Sequence, residues 1–281
     1  MEHARMTEDQ RYFFDITGYL VLDQVLTADE LARRNAAIDH HEDDIKVRMG
    51  EMSLSGESQA LKGTQGRGDL GNILAWEKPW CEIFQQMLVH PRIVSVLNVI
   101  LGEGFRVDHR PGIVTMDQGA EGHTLHGSSG PGFDPNQYYI FRDGKMHCGL
   151  TVVAWQLADV KPGDGGFCLI PGSHKGNVAC PKDVRHYEKF QELVKPITCK
   201  AGDVVIFTEA VTHGTLPWKA KHQRRTLLIR YTAANLAYST SYQRYDEVHK
   251  GLNEDQRAVM LPPFHPRLRR PLLDDEGHVK K

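Results

Sequence analysis

This sequence is poor in the features that mark secreted, membrane-spanning or nucleic-acid-binding chains. Its five cysteines (Cys81, Cys148, Cys168, Cys180 and Cys199) are odd in number, scattered, and form no Cys-x-x-Cys pair. A disulfide framework or a zinc–thiolate knot is therefore not expected, and reduced thiols in a cytoplasmic setting are. No apolar run approaches the ~20 residues that a membrane span needs, so no membrane partner is expected. The opening stretch MEHARMTEDQ carries charges where an export signal needs an apolar segment, which argues against export. Neither sign of charge dominates: 34 Lys and Arg against 36 Asp and Glu leave a net charge of −2. That balance argues against nucleic acid as an electrostatic partner. What is present is length enough to bury a sizeable core, at 281 residues, and 15 histidines.

Three stretches differ in pattern. In the first hundred residues Thr7 can cap a helix over TEDQRYFFDI that Gly18 ends, and Tyr19 to Leu22 reads as a short strand. Thr27 with Glu30 forms a capping box for a helix from Ala28 to His40. From Asp43 to Gly71 the chain is polar and holds Gly50, Gly56, Gly63, Gly66 and Gly68, which reads as a surface loop or lid. Helices are expected over Trp80–Val89 and over Pro91–Leu101, the latter with proline at its first position and Gly102 at its end. From Phe105 to Tyr231 short runs rich in Val, Ile, Phe and Thr alternate with Gly/Pro turns, the pattern of a β-sandwich or barrel. Within it, Gly130 to Lys145 reads as a long loop, either a cover for the substrate or a plain surface loop. A helix over Glu254–Leu261, closed by Pro262 and Pro263, precedes a Pro/Arg-punctuated tail. The expected architecture is mainly β with flanking helices in a single domain, with N-terminal helices (1–102), a β core (103–235) and a helical tail (236–281).

Two segments concentrate the chemistry. In GDGGFCLIPGSHKGN, Gly163 to Asn177, glycines precede a short apolar run and Pro-Gly-Ser follows it, describing turn, buried strand and turn. In DVVIFTEAVTHGTLPWKAKHQR, Asp203 to Arg224, a β-branched run delivers His213, and eleven positions later Arg224 opens another apolar run. Together with the N-terminal FFDITGYLVLDQVLTADEL, these segments resemble the phytanoyl-CoA dioxygenase family of iron(II)/2-oxoglutarate oxygenases. The resemblance runs from about Thr7 to about Tyr231. It implies a double-stranded β-helix, the cupin-like jelly roll, with iron(II) and 2-oxoglutarate inside the barrel.

The residue types suit that chemistry. Two imidazoles and a carboxylate on one face of iron leave three positions for a bidentate 2-oxo acid and for oxygen. The far carboxylate of 2-oxoglutarate suits the planar, permanently charged fork of arginine. The resemblance implies His126 and His213 as metal ligands and Arg224 as the 2-oxoglutarate anchor; His123 is a rival to His126, and the adjacent Arg225 a rival to Arg224. Because side chains alternate along a strand, only one of the two arginines can face the interior, and spacing favours Arg224. The family's first imidazole comes as His-x-Asp or His-x-Glu, whereas His126-Gly127-Ser128 places a serine where the carboxylate belongs. Glu209, four positions before His213 and on the same strand face as Phe207, is the leading replacement and the candidate catalytic carboxylate. Asp134, Asp143, a halide or water are the alternatives. His147 and His174 read as structural, Trp155 and Trp218 as core, and Lys175 as a surface charge.

The activity implied is hydroxylation of an unactivated C–H bond of a small-molecule substrate, consuming O2 and 2-oxoglutarate. Two other readings stay open at this point: a halogenase using a coordination position vacated at Ser128, and a catalytically degenerate jelly-roll binding protein.

Overall fold

The computed structural model describes residues 6–127, 134–239 and 251–265. Local signals set its N-terminal third. Thr7 and Gln10 close a capping box on helix α1 (Glu8–Thr17), and Gly18 ends it in the left-handed conformation. Strand β1 (Tyr19–Leu22) leads to α2 (Ala28–His40), capped reciprocally by Thr27 and Glu30. Helix α3 (Trp80–Gln85) tightens into a 3-10 turn over Gln86–Val89 instead of continuing, and α4 (Pro91–Ile100) starts on its proline.

The glycine-rich stretch after α2 is not a loose lid. It contains β2 (Lys46–Arg48) and β3 (Arg67–Leu70), which pair with one another and extend the main sheet. Two of its glycines are there for close packing: a Cβ on Gly66 would sit 1.7 Å from the Arg48 carbonyl oxygen, and one on Gly68 would sit 2.2 Å from Thr115 Oγ1. A β core bounded at residues 103–235 is thus too narrow, because β1, β2 and β3 all belong to the sheet.

The remaining strands are β4 (Arg106–Val107), β5 (Gly112–Met116), β6 (His123–His126), β7 (Tyr139–Arg142), β8 (Lys145–Cys148), β9 (Thr151–Gln156), β10 (Gly166–Leu169), β11 (Lys195–Pro196), β12 (Val204–Thr208), β13 (His213–Leu216) and β14 (Arg224–Thr232). An eight-stranded sheet runs β1-β12-β9-β14-β5-β3-β2, with β4 on the far half of β14; a four-stranded sheet runs β11-β10-β13-β6. Their ladders are antiparallel. β7 and β8 form a hairpin where a long loop is expected, turning on Asp143 (φ 52°) and Gly144 (φ 72°). Positive φ at both central residues is the turn that an Asp-Gly pair favours between strands. A short helix over Glu254–Val259 ends at Met260.

Strand alternation divides the large sheet into two working faces. Val153 and Trp155 of β9, Ile206 of β12, and Leu227, Ile229 and Tyr231 of β14 pack against Phe14, Ile38, Leu97 and the other helical residues. Their neighbours Val152, Ala154, Val205 and Phe207 face the smaller sheet, meeting Phe167 and Leu169 of β10. These are the two layers of a jelly roll with helices over one outer face. Among the described residues no single helix is long and apolar enough to cross a membrane.

The pairing of β6 with β13 is tight enough to require glycine. A Cβ on Gly214 would lie 2.6 Å from the His123 carbonyl oxygen and 3.2 Å from Leu125 Cα. The register also shifts between His213 and Thr215, a local irregularity of the kind that re-aims side chains. Gly214→Ala is expected to destabilise the protein by about 1–3 kcal/mol through overpacking. Gly71→Ala serves as the control, because nothing lies within 4 Å of its Cβ position. Urea unfolding measures both, and equal stabilities would mean that the two strands are not held at this spacing.

Candidate metal centre and co-substrate pocket

His126 ends β6 and His213 opens β13, and the ladder pairs them directly. Directly opposed residues of an antiparallel pair project to the same face, and the two ring centroids are 4.3 Å apart. In each ring Nδ1 meets a backbone carbonyl two residues upstream: Thr124 O at 2.9 Å for His126 and Val211 O at 2.8 Å for His213. A carbonyl only accepts, so Nδ1 carries the proton and Nε2 presents a lone pair, the tautomer that a metal ligand requires. Burial, and then His126, push His213 down to about 4 against the opposing pull of Glu209, so the ring is neutral at neutral pH.

Glu209 follows β12 directly and arrives from the other sheet. Its amide donates to Leu150 O at 2.9 Å, which fixes the turn that aims the side chain inward. Gly127 makes room for that turn: a Cβ there would lie 2.5 Å from Val211 O and 2.9 Å from Glu209 O, and its φ of +137° suits glycine. Glu209 is buried, with Oε2 3.5 Å from His213 Nε2 and Oε1 3.7 Å from Arg230 Nε. Burial raises its pKa, yet His213, Arg230 and His126 outweigh that and hold the carboxyl below its ordinary value. The donor atoms of His126, His213 and Glu209 all lie within 4.8 Å of one another.

These three side chains open onto a cavity of about 200 Å³ that also receives Arg224. Arg224 is buried, and its Nε has no hydrogen-bond partner among the described residues. Desolvation, reinforced by Arg67, lowers its pKa to about 10, so it stays charged at neutral pH. Arg225 points the other way, bonding Gln223, Asn35 and Asp39 beneath α2. Val114, Val152, Ala154, Phe167, Phe207 and Leu228 form the apolar part of the cavity wall.

The remaining candidates fall elsewhere. His123 lines the cavity with its ring centroid 4.3 Å from that of His126, but stands outside the converging trio. Burial, and then His126, push it down to about 2. Asp134 accepts from the Asn136 amide at 2.7 Å, and Asp143 sits at the exposed tip of the β7–β8 hairpin beside Arg142. Neither joins the trio. Ser128 lies outside the described residues. His174 bonds Asp15 O at 2.9 Å and Lys175 pairs with Asp15, both structural contacts, and His147 is exposed on β8. Three cavity arginines were not foreseen: Arg48, Arg67 and Arg230. Alternation along TLLIRYT from Arg224 signals Arg230, whereas Arg48 and Arg67 fall in the stretch read as a loop.

The donor set suits the group that this architecture implies. Two imidazoles with exposed Nε2 and one ionised carboxylate form the two-histidine, one-carboxylate face typical of non-haem iron(II) sites. A buried guanidinium in the same cavity, with Nη1 on Met116 Sδ at 3.3 Å and Nε unsatisfied, suits a carboxylate co-substrate.

Comparison with known proteins agrees. The family model for phytanoyl-CoA dioxygenase (PhyH) matches residues 14–226. The chain is 25% identical over 244 residues to an ectoine dioxygenase of Stutzerimonas stutzeri (strain A1501), covering 76% of this chain and 73% of that one. It is 24% identical over 244 residues to a probable alpha-ketoglutarate-dependent hypophosphite dioxygenase of Stutzerimonas stutzeri, covering 81% and 79% respectively. Among solved structures, HygX from Streptomyces hygroscopicus with nickel and 2-oxoglutarate bound has the same fold, with a TM-score of 0.66 and 20% identity over 82% of this chain and 88% of that one. The chain belongs to the phytanoyl-CoA dioxygenase family and is a non-haem iron(II), 2-oxoglutarate-dependent dioxygenase.

Proposed function

We propose that this enzyme hydroxylates an unactivated C–H bond of a small-molecule substrate, with iron held by His126, His213 and Glu209 and 2-oxoglutarate anchored by Arg224. The observation that carries this reading is the convergence of two correctly tautomerised imidazoles and a buried carboxylate in one cavity with a buried guanidinium whose Nε has no partner among the described residues. When bound together, iron and 2-oxoglutarate supply an oxidant for C–H bonds, with succinate and carbon dioxide as co-products.

The chain's own residues do the rest. His126 and His213 hold their lone pairs inward because backbone carbonyls fix the Nδ1 protons. Glu209 supplies negative charge beside them, and Arg230 steadies its second oxygen. Arg224 offers a desolvated fork for the distal carboxylate, where a charge-assisted bond is strong. Phe207, Val152, Ala154 and Leu228 exclude water and set the wall against which a substrate is oriented. The halogenase reading loses its support, because an ionised carboxylate 3.5 Å from His213 Nε2 opposes a halide at the third position. The degenerate binding-protein reading leaves the convergent donors and the buried Arg224 without a purpose.

Anaerobic addition of Fe(II) and 2-oxoglutarate should give a weak visible charge-transfer band, and admission of oxygen should give succinate; the absence of both would sink this reading. Arg224→Met should leave metal binding in place but weaken 2-oxoglutarate by about 30-fold or more, from the ~2–5 kcal/mol lost when one partner of a buried charge pair is removed. A change of less than about threefold would move the anchor elsewhere. Glu209→Ala should weaken iron binding by at least about tenfold, with Glu209→Gln between it and the unmodified enzyme. Unchanged iron affinity in Glu209→Ala would remove Glu209 from the ligand set.

A further inference from the structure

We infer that the substrate carries an oxyanionic group, a carboxylate or a phospho-group, held in this cavity by Arg67 and Arg48, with Arg230 of β14 in the same lining. This deepens the proposed iron and 2-oxoglutarate reading and rests on it.

The first argument is register. Arg48 lies opposite Arg67 across β2 and β3. Gly68 lies opposite Thr115, which brings the preceding Arg67 level with Met116, and Met116 lies opposite Arg224. Opposed residues share a face, so three guanidinium groups leave one row of the large sheet and enter the same cavity. Like charges in such a row repel, so the row calls for anionic counter-charge. Gly66 fixes the Arg48 backbone by close contact.

The second argument is what those arginines lack. Asp69 alone answers two of them, accepting from Arg48 Nε and from Arg67 at 2.8 Å. The Nε of Arg67 is buried and has no hydrogen-bond partner among the described residues, although its side chain is only 17% exposed. An uncompensated buried donor costs free energy that a bound acceptor recovers.

The third argument is charge. Arg48, Arg67, Arg224 and Arg230 face the cavity against Glu209, with Asp69 behind them. Two positive charges remain, and iron(II) with dianionic 2-oxoglutarate leaves that surplus unchanged. The third component to enter is the substrate. A neutral or cationic substrate would leave the mostly buried Arg67 with its Nε unsatisfied, whereas an oxyanion supplies the missing acceptor and answers the surplus charge.

The test uses the anaerobic Fe(II)–2-oxoglutarate enzyme, titrated calorimetrically with methylphosphonate, acetate and acetamide, the last being the neutral counterpart of acetate. At least one anion should bind at millimolar concentration and acetamide should not; the tighter anion identifies the phospho or the carboxylate chemistry. Arg67→Met should weaken that anion by at least about tenfold while changing 2-oxoglutarate affinity by less than about threefold. Arg67→Lys should recover part of the loss, and Arg225→Met, on the opposite face, should leave the anion unaffected. Equal binding of acetate and acetamide, or binding of neither anion, overturns the inference. Parallel loss of the anion and of 2-oxoglutarate in Arg67→Met also overturns it, by assigning Arg67 to the co-substrate. Absence of the visible band in the unmodified enzyme instead removes the underlying reading, and this inference with it.

Discussion

The short ladder between β6 and β13 is the constraint on which the rest of the site depends. It sets His126 against His213, so that two rings from distant parts of the chain share one face and one depth. Two glycines make the approach possible, and each for a different neighbour: Gly214 for the opposing strand, Gly127 for the turn that carries Glu209. A side chain at either position would separate the strands or push the carboxylate away from the imidazoles. On the proposed assignment the small sheet supplies the nitrogens and the turn after β12 of the large sheet the oxygen, so the centre sits where the two layers meet.

Its electrostatics follow from burial. Desolvation favours neutral imidazoles, and backbone carbonyls fix which nitrogen keeps the proton. A carboxylate in the same place is costly unless cations attend it, and Arg230 does. The same reasoning applies to Arg224, whose burial with Nε unsatisfied and only the Met116 sulfur on Nη1 is a cost in the free protein that a bound carboxylate offsets. Ligand binding is accordingly coupled to stability, since whatever binds only the folded state stabilises it.

Much of this was legible in the sequence because it rests on local signals. The cap at Thr7 with the stop at Gly18, and the capping box at Thr27, mark two helices to the residue, and the runs around Val204 and Thr226 mark strands of the core. Alternation sends Arg224 and Arg225 to opposite faces of the sheet, and it is Arg224 that reaches the cavity while Arg225 pairs with Asp39. Illegible were features that need long-range pairing. Nothing local distinguishes Gly66 and Gly68, demanded by neighbouring strands, from glycines of a flexible loop, so β2 and β3 were missed and Arg48 and Arg67 with them. The Asp143-Gly144 turn was a readable hairpin signal that the polar surroundings masked.

The carboxylate shows how far pattern reading reaches. A His-x-Asp motif places its acid by strand alternation, two residues from the imidazole on one strand. Here alternation runs instead along β12, from Phe207 to Glu209, and the acid reaches the imidazoles across the gap between the sheets. An acid carried on the turn after a strand of the large sheet can share its second oxygen with another residue of that sheet, and Arg230 of β14 is in place for this. On the proposed assignment Glu209 therefore serves both layers at once: Oε2 faces His213 Nε2 at 3.5 Å while Oε1 lies 3.7 Å from Arg230 Nε, so one carboxylate joins the donor trio to the arginine-lined wall.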